Sequence, residues 1–370
     1  MAENTETFLP GWVSPPGETI EDLLGERGWK QGELADRLGY TDKHLSLLIN
    51  GKASLTEDAA MKLERVLGAS ASFWLAREAK YREHLARLGE KQLYESWVGW
   101  LDQLPITQLM NLDVIPKLRN AGANKLKIVQ SCLKFFGVAS PNEWEKHYGG
   151  MQVSYRRTKE EQSDIGAISS WLRMGELEAE KFPGPPYNKA KFEQALTVIK
   201  GLTTEPPEVF APKMYQALEA SGVVFVLVPS IPRAHVSGVA RWLRNNKPLI
   251  QLSLYGKNND KFWFTFFHEA AHILLHADNR QAKKAVFLDD LNNHQSDDPK
   301  EHEANQWAAD FLIPQSYIHE LSSIRSKESV ERFSAVLGIH PGIVVGRLQH
   351  EGFIKQSWMN GLKESFHIVQ

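Results

Sequence analysis

The chain has 370 residues, 42% of them hydrophobic and 24% charged, which is enough for two or three domains with ordinary buried cores and argues against large-scale disorder. Its formal net charge of −2 excludes a global positive field directed at nucleic acid or membrane, so any DNA contact must be local. The single cysteine, Cys132, excludes an intrachain disulfide framework and a thiolate cluster for structural zinc; within SCLKFFGV it reads as a small buried hydrophobe.

The N-terminus, MAENTETFLPGW, has neither a basic start nor an apolar core, so it does not read as a secretory signal. No apolar run reaches the ~18 residues of a membrane span. A cytoplasmic location is expected. Residues 1–92 then predict a compact helical unit, with short amphipathic segments parted by Gly28, Gly39, Gly51 and Gly68. Ile20, Leu23 and Leu24 form the apolar face of a first helix, and Leu34, Ala35 and Leu38 that of a second. Gly39 supplies the tight turn before a third helix from Thr41 to Asn50, which buries Leu45, Leu48 and Ile49.

This is the pattern of a helix-turn-helix module. Thr41 is a competent N-cap, Lys43, His44 and Ser46 face outward toward a major groove, and Lys30, Asn50 and Lys52 can reach phosphates. Eleven Lys and Arg against fifteen Asp and Glu in residues 1–90 argue against strong non-specific affinity. The run from PPGETIEDLLGERGWKQGELADRLG through NGK to FWLAREAKY resembles Xre-family repressors, particularly HigA-type antitoxins. That resemblance implies a homodimer on palindromic operator DNA and, as a further partner, a RelE/HigB-like toxin.

Residues 93–205 are helical by period, with breaks at Pro141, Gly149-Gly150 and FPGPPY, and show no chemistry. Residues 206–322 change character. The β-rich runs GVVFVLVP, HVSGVARWL and KPLIQLSL are spaced for a small antiparallel sheet, with the second or third expected at its edge along a substrate cleft. The apolar helix FWFTFFHEAAHILLH follows, then a polar loop from Asp289 to Pro299 and a second helix, EHEANQWAADFLIP. Residues 323–370 suggest a C-terminal, helix-turn-helix-like pair. The fold class expected is α+β, mostly helical.

In the first of these helices, His268 and His272 lie four apart, which puts both imidazoles on one face. Glu269, beside the first histidine, is placed to act as base toward a water that a metal activates, the logic of an HExxH metalloprotease. A gluzincin-type site needs a carboxylate from a second helix. Glu301 supplies one on a helix whose Ala304, Ala308, Phe311 and Leu312 form an apolar face; Glu303, His302 and His276 stand as alternatives. Asn305, one turn beyond Glu301, can offer a hydrogen bond that orients a ligand. Two imidazoles and one carboxylate suit catalytic Zn2+, although manganese and iron accept the same set.

FHEAAHILLH followed by EHEANQWAADFLIP resembles the ImmA/IrrE family of metallo-endopeptidases, over roughly Val223 to Pro314. The resemblance implies His268, His272 and Glu301 as zinc ligands, Glu269 as catalytic base, and a repressor or other regulatory protein as substrate. Ala271 stands where that family often has glycine. Tyr317, His235 and Arg241 are candidates for stabilising an oxyanion. A non-catalytic alternative is an antitoxin or transcription factor whose zinc domain is structural or sensory.

Overall fold

Helices α1 (Pro16–Arg27), α2 (Gln31–Leu38), α3 (Asp42–Ile49), α4 (Glu57–Leu67) and α5 (Ala71–Ser96) follow one another with short turns, because each is bounded by a residue suited to stop or start it. Gly39 ends α2 at φ 68°, a left-handed conformation that only glycine adopts cheaply, and turns the chain into α3. Thr41, Thr56 and Ser70 cap the next three helices by accepting hydrogen bonds from the backbone of His44, Ala59 and Phe73. The apolar faces meet in one core that includes Ile20, Leu24, Leu34, Leu38, Leu45, Leu48, Leu63 and Trp74. Each such aliphatic side chain contributes roughly 1.5–3 kcal/mol by leaving water.

The structure, a computed structural model, describes residues 14–156, 164–243, 247–253, 258–276, 287–289 and 298–366. The chain forms two compact units, Met1–Val98 and Gly99–Gln370. In the second, helices α6 (Ile106–Asn111), α7 (Asn124–Phe136), α8 (Pro141–Arg156), α9 (Ile165–Glu180), α10 (Lys189–Gly201) and α11 (Pro207–Ser221) precede the sheet. Its strands are β1 (Val224–Leu227), β2 (Gly238–Leu243), β3 (Lys247–Leu252) and the short β4 (Phe287–Asp289). Helix α12 (Asn259–Leu275) lies between β3 and β4 in sequence; α13 (Pro299–Leu312), α14 (Ile318–Ser323), α15 (Lys327–Leu337) and α16 (Pro341–His350) end the fold.

The chain is mostly helical with one small sheet, as expected, but that sheet is mixed rather than antiparallel. Its order is β1-β3-β2-β4, with β1 parallel to β3 and β2 antiparallel to both β3 and β4. The connection from β1 to β2 is too long for a tight hairpin, so β1 does not pair with its successor, and β3 enters between them after a short return from β2. This order also corrects the expected edge. Both β2 and β3 are internal, and β4 covers Gly238–Ala240.

Side chains alternate across the sheet. Val224, Val226, Val239 and Leu249 pack against α9 residues Ile168, Trp171 and Leu172. Phe225, Ala240, Ile250 and Leu252 join a larger core with α10, α11, α12 and α16. Helix α12 is thus covered by the sheet, α13 and α16, and its exposure is confined to a few side chains such as Leu275. Cys132 is buried on α7, and burial pushes its thiol up to about 12, so it remains protonated. Residues 290–297, most of the expected polar loop, and the N-terminal residues 1–13 lie outside the described residues. Among the described residues no helix is long and apolar enough to cross a membrane.

Candidate metal centre and nucleic-acid interface

The polar part of α12 begins one turn after Phe264, whose ring stacks on His268. His268, Glu269 and His272 are 1%, 0% and 2% exposed, so their polar atoms sit where an unsatisfied group costs several kcal/mol. Buried Ala304, Ala308 and Leu312 bring α13 against α12 and place Glu301 over the histidine pair. The Nε2 atoms of His268 and His272 stand 3.0 Å apart. Glu301 Oε2 lies 3.2 Å from the first, and its Oε1 3.4 Å from the second.

These distances test the fit of a metal. Ligand atoms ~2.0–2.1 Å from a tetrahedral zinc stand about 3.3 Å from one another. The three donors match that spacing, and their lone pairs converge in a buried place where only a proton or a cation relieves the repulsion. The protonation states agree. Burial pushes His272 down to about 4, keeping its imidazole neutral. Burial alone would raise the Glu301 carboxyl, but the imidazoles of His268 and His272 beside it hold it well below the ordinary carboxylate range. The group could therefore bind a metal ion.

Glu269 follows His268 on the same helix and meets the sheet at Gly238. A Cβ there would stand 2.7 Å from Glu269 Oε1 and from Thr265 Cγ2, so only glycine lets β2 pass this close. Of the other residues weighed for the cluster, Glu303 meets His276 at 3.1 Å, while His302 lines a separate cavity of about 350 Å³ between α12, α13 and α16. Asn305 lines that cavity too, and among the described residues no hydrogen bond joins it to His268, His272 or Glu301. Arg241 is a correction to the oxyanion candidates. It donates to Glu176 at 2.7 Å and to the Leu172 carbonyl at 2.8 Å, on the α9 side of the sheet, because alternation along β2 turns it away from α12. Tyr317 packs edge-on to Phe333, and His235 sits at φ 49° before β2.

In the first unit, Lys30, Thr41, Lys43, His44, Ser46, Asn50 and Lys52 are all exposed. Lys30 precedes α2, and the others lie on or beside α3. Asn50 Nδ2 donates to the Ser46 carbonyl at 2.7 Å, closing the end of α3, and the His44 ring meets Tyr40 edge-on at 4.7 Å. His276, an alternative ligand by sequence, instead meets His272 and Glu303; a third histidine at the same four-residue step is the signal for this longer chain of contacts on one face.

A helical module with this turn, and a buried His-Glu-His helix crossed by a carboxylate-bearing helix, define a DNA-binding regulator joined to a metallopeptidase-like domain. Family comparison agrees. Residues 20–74 match the helix-turn-helix family, and residues 225–349 match the IrrE N-terminal-like domain of the M78 peptidases, so the chain carries an Xre-type domain ahead of an IrrE-like one. Over 60 residues it is 37% identical to YddM, an uncharacterized HTH-type transcriptional regulator of Escherichia coli; that stretch is 16% of this chain and 64% of YddM's length. It is also similar to a crystal structure from Nostoc punctiforme, described as an antidote protein of a plasmid maintenance system. The match has 32% identity, covers 23% of this chain and 94% of that one, and has a TM-score of 0.22.

Proposed function

We propose that this chain is a regulator of the HigA-like antitoxin or repressor type carrying a zinc-dependent endopeptidase that hydrolyses a peptide bond in a regulatory protein. The observation that carries the reading is the convergence of His268, His272 and Glu301 in a buried cluster with Glu269 on the adjacent position of α12. His268 and His272 would hold the zinc through Nε2 and Glu301 through its carboxylate. The metal supplies Lewis acidity that polarises a carbonyl and lowers the pKa of water. Helix α12, locked between sheet and helices, fixes the ligands relative to Glu269, so alignment is built in before substrate arrives. The Glu269 carboxylate takes a proton from the attacking water and passes it to the departing amine.

The exposed side chains around α3 give the chain a surface for operator DNA, with Lys43, His44 and Ser46 toward bases and Lys30, Asn50 and Lys52 toward phosphates. Exposed Leu85, Leu88 and Leu93 on α5 support assembly as a homodimer, and the resemblance of the first unit's sequence to HigA-type antitoxins supports a RelE/HigB-like toxin partner. Purified chain should contain about one zinc, cleave a cognate repressor, lose cleavage on chelation and regain it with zinc. One bound zinc without cleavage of any regulator would instead support a structural or sensory metal.

A further inference from the structure

His272 uses its two ring nitrogens in opposite directions. Nε2 faces His268 and Glu301, whereas Nδ1 lies 3.1 Å from Nδ1 of His276, one turn further along α12. His276 is itself 8% exposed, and its Nε2 stands 3.1 Å from Oε2 of Glu303. Histidines 268, 272 and 276 thus form a ladder on one face of α12. Helix α13 contributes a carboxylate to each end of it, Glu301 at the donor cluster and Glu303 at the more exposed outer end.

Counting protons fixes the direction of this chain. A neutral imidazole has one N–H and one lone pair. With the Nε2 lone pair of His272 given to a metal, its proton would be on Nδ1, and the acceptor 3.1 Å away would be a bare Nδ1 of His276. The proton of His276 is then on Nε2, where the Glu303 carboxylate accepts it. Every link has one donor and one acceptor.

We infer that His276, oriented by Glu303, is a positioning residue for His272: it selects the Nδ1–H tautomer and ring orientation that present Nε2 to the metal. The inference rests on the metal reading of His268, His272 and Glu301 given above. Such outer partners alter metal affinity by about 10–100-fold when removed, without changing the ligand set. Glu303, by orienting His276 rather than a ligand, acts one step further out.

The test uses the full-length chain, with zinc dissociation constants from competition against a chromophoric chelator and the visible spectrum of the cobalt-substituted protein. His276→Leu is expected to weaken zinc by about 10–100-fold while keeping one metal per chain and the cobalt band pattern of the parent. His276→Asn places Oδ1 where Nδ1 was and should recover most of the affinity. His276→Gln, which reaches Glu303 but not His272, should not. Glu303→Gln, on an exposed side chain that cannot endanger the fold, should weaken zinc severalfold, and it decides the matter if His276→Leu fails to fold. Parental affinity in both His276→Leu and Glu303→Gln would overturn the inference. So would altered cobalt bands in both His276→Leu and His276→Asn, which would make His276 a ligand. A parent protein that binds no zinc would overturn the metal reading itself, and this inference with it.

Discussion

The two units place their functional groups oppositely. In the first, the core is apolar and the residues assigned to DNA lie outside it on α3 and its flanks, so that changing them leaves the core side chains in place. In the second, His268, Glu269 and His272 are among the most buried residues of the molecule, inside a helix that also carries Trp263, Phe266 and Phe267 into the core. Function in the first unit is laid on a finished scaffold. In the second it is part of the scaffold, so removing a ligand side chain also alters the core.

The sharpest way to break this contrast is His268→Ala with His272→Ala. That variant should lose the metal, and with it the stabilisation of about 4 kcal/mol that zinc confers at a thousandfold excess over its dissociation constant. Thermal unfolding of the second unit with and without zinc checks this; a zinc-dependent melting shift that survives the double change would remove the site. A smaller effect is expected for Gly238→Ala. Its new Cβ would crowd Glu269 Oε1, Thr265 and Leu252, which costs roughly 1–3 kcal/mol of overpacking and displaces Glu269. Denaturant midpoints measure the cost, and wild-type stability together with wild-type cleavage would show that β2 does not abut Glu269.

Acid should act on the same buried residues. In metal-free protein His272 is neutral down to about 4, while unfolded histidine titrates near 6.5, so the unfolded state binds more protons between those values. Glu301, held below the carboxylate range, has the same sign. Stability should therefore be full above about pH 6.5 and decline as pH falls toward 4; stability rising in that interval would contradict the burial of His272. The least effect on stability is expected for Lys43→Ala with His44→Ala, within about 0.5 kcal/mol of the parent. Operator affinity should nonetheless fall by about 1–3 kcal/mol per lost base contact, with altered sequence preference. A footprint unchanged in both respects would exclude α3 as the reading helix.

The same contrast explains what could be read before any fold was known. The first unit depends on local rules: left-handed Gly39, the Thr41 cap and helical spacing of Leu34, Leu38, Leu45 and Leu48 are all legible within a few residues. The pairing of His268 with His272 is local as well, being set by one helical turn. Glu301 was reachable because Ala304, Ala308 and Leu312 mark the face that must pack and the family resemblance singles it out among its neighbours. The sheet order was not reachable, since β1 pairs with β3 rather than with β2, the next strand in sequence, and nothing in VFVL or KPLIQL distinguishes parallel from antiparallel neighbours. Nor was the turning away of Arg241, which depends on which sheet face α9 covers, or the approach of Gly238 to Glu269, which depends on two elements distant in sequence.

The most direct test of the central claim compares zinc-loaded full-length chain with its Glu269→Gln variant on a panel of helix-turn-helix repressors and on the chain itself, scoring new peptide termini by mass spectrometry. The account predicts equal zinc in both proteins, cleavage at a defined bond by the parent, and a loss of about 10²–10⁴-fold in rate for the variant. Equal cleavage by parent and variant, at equal zinc content, would contradict it.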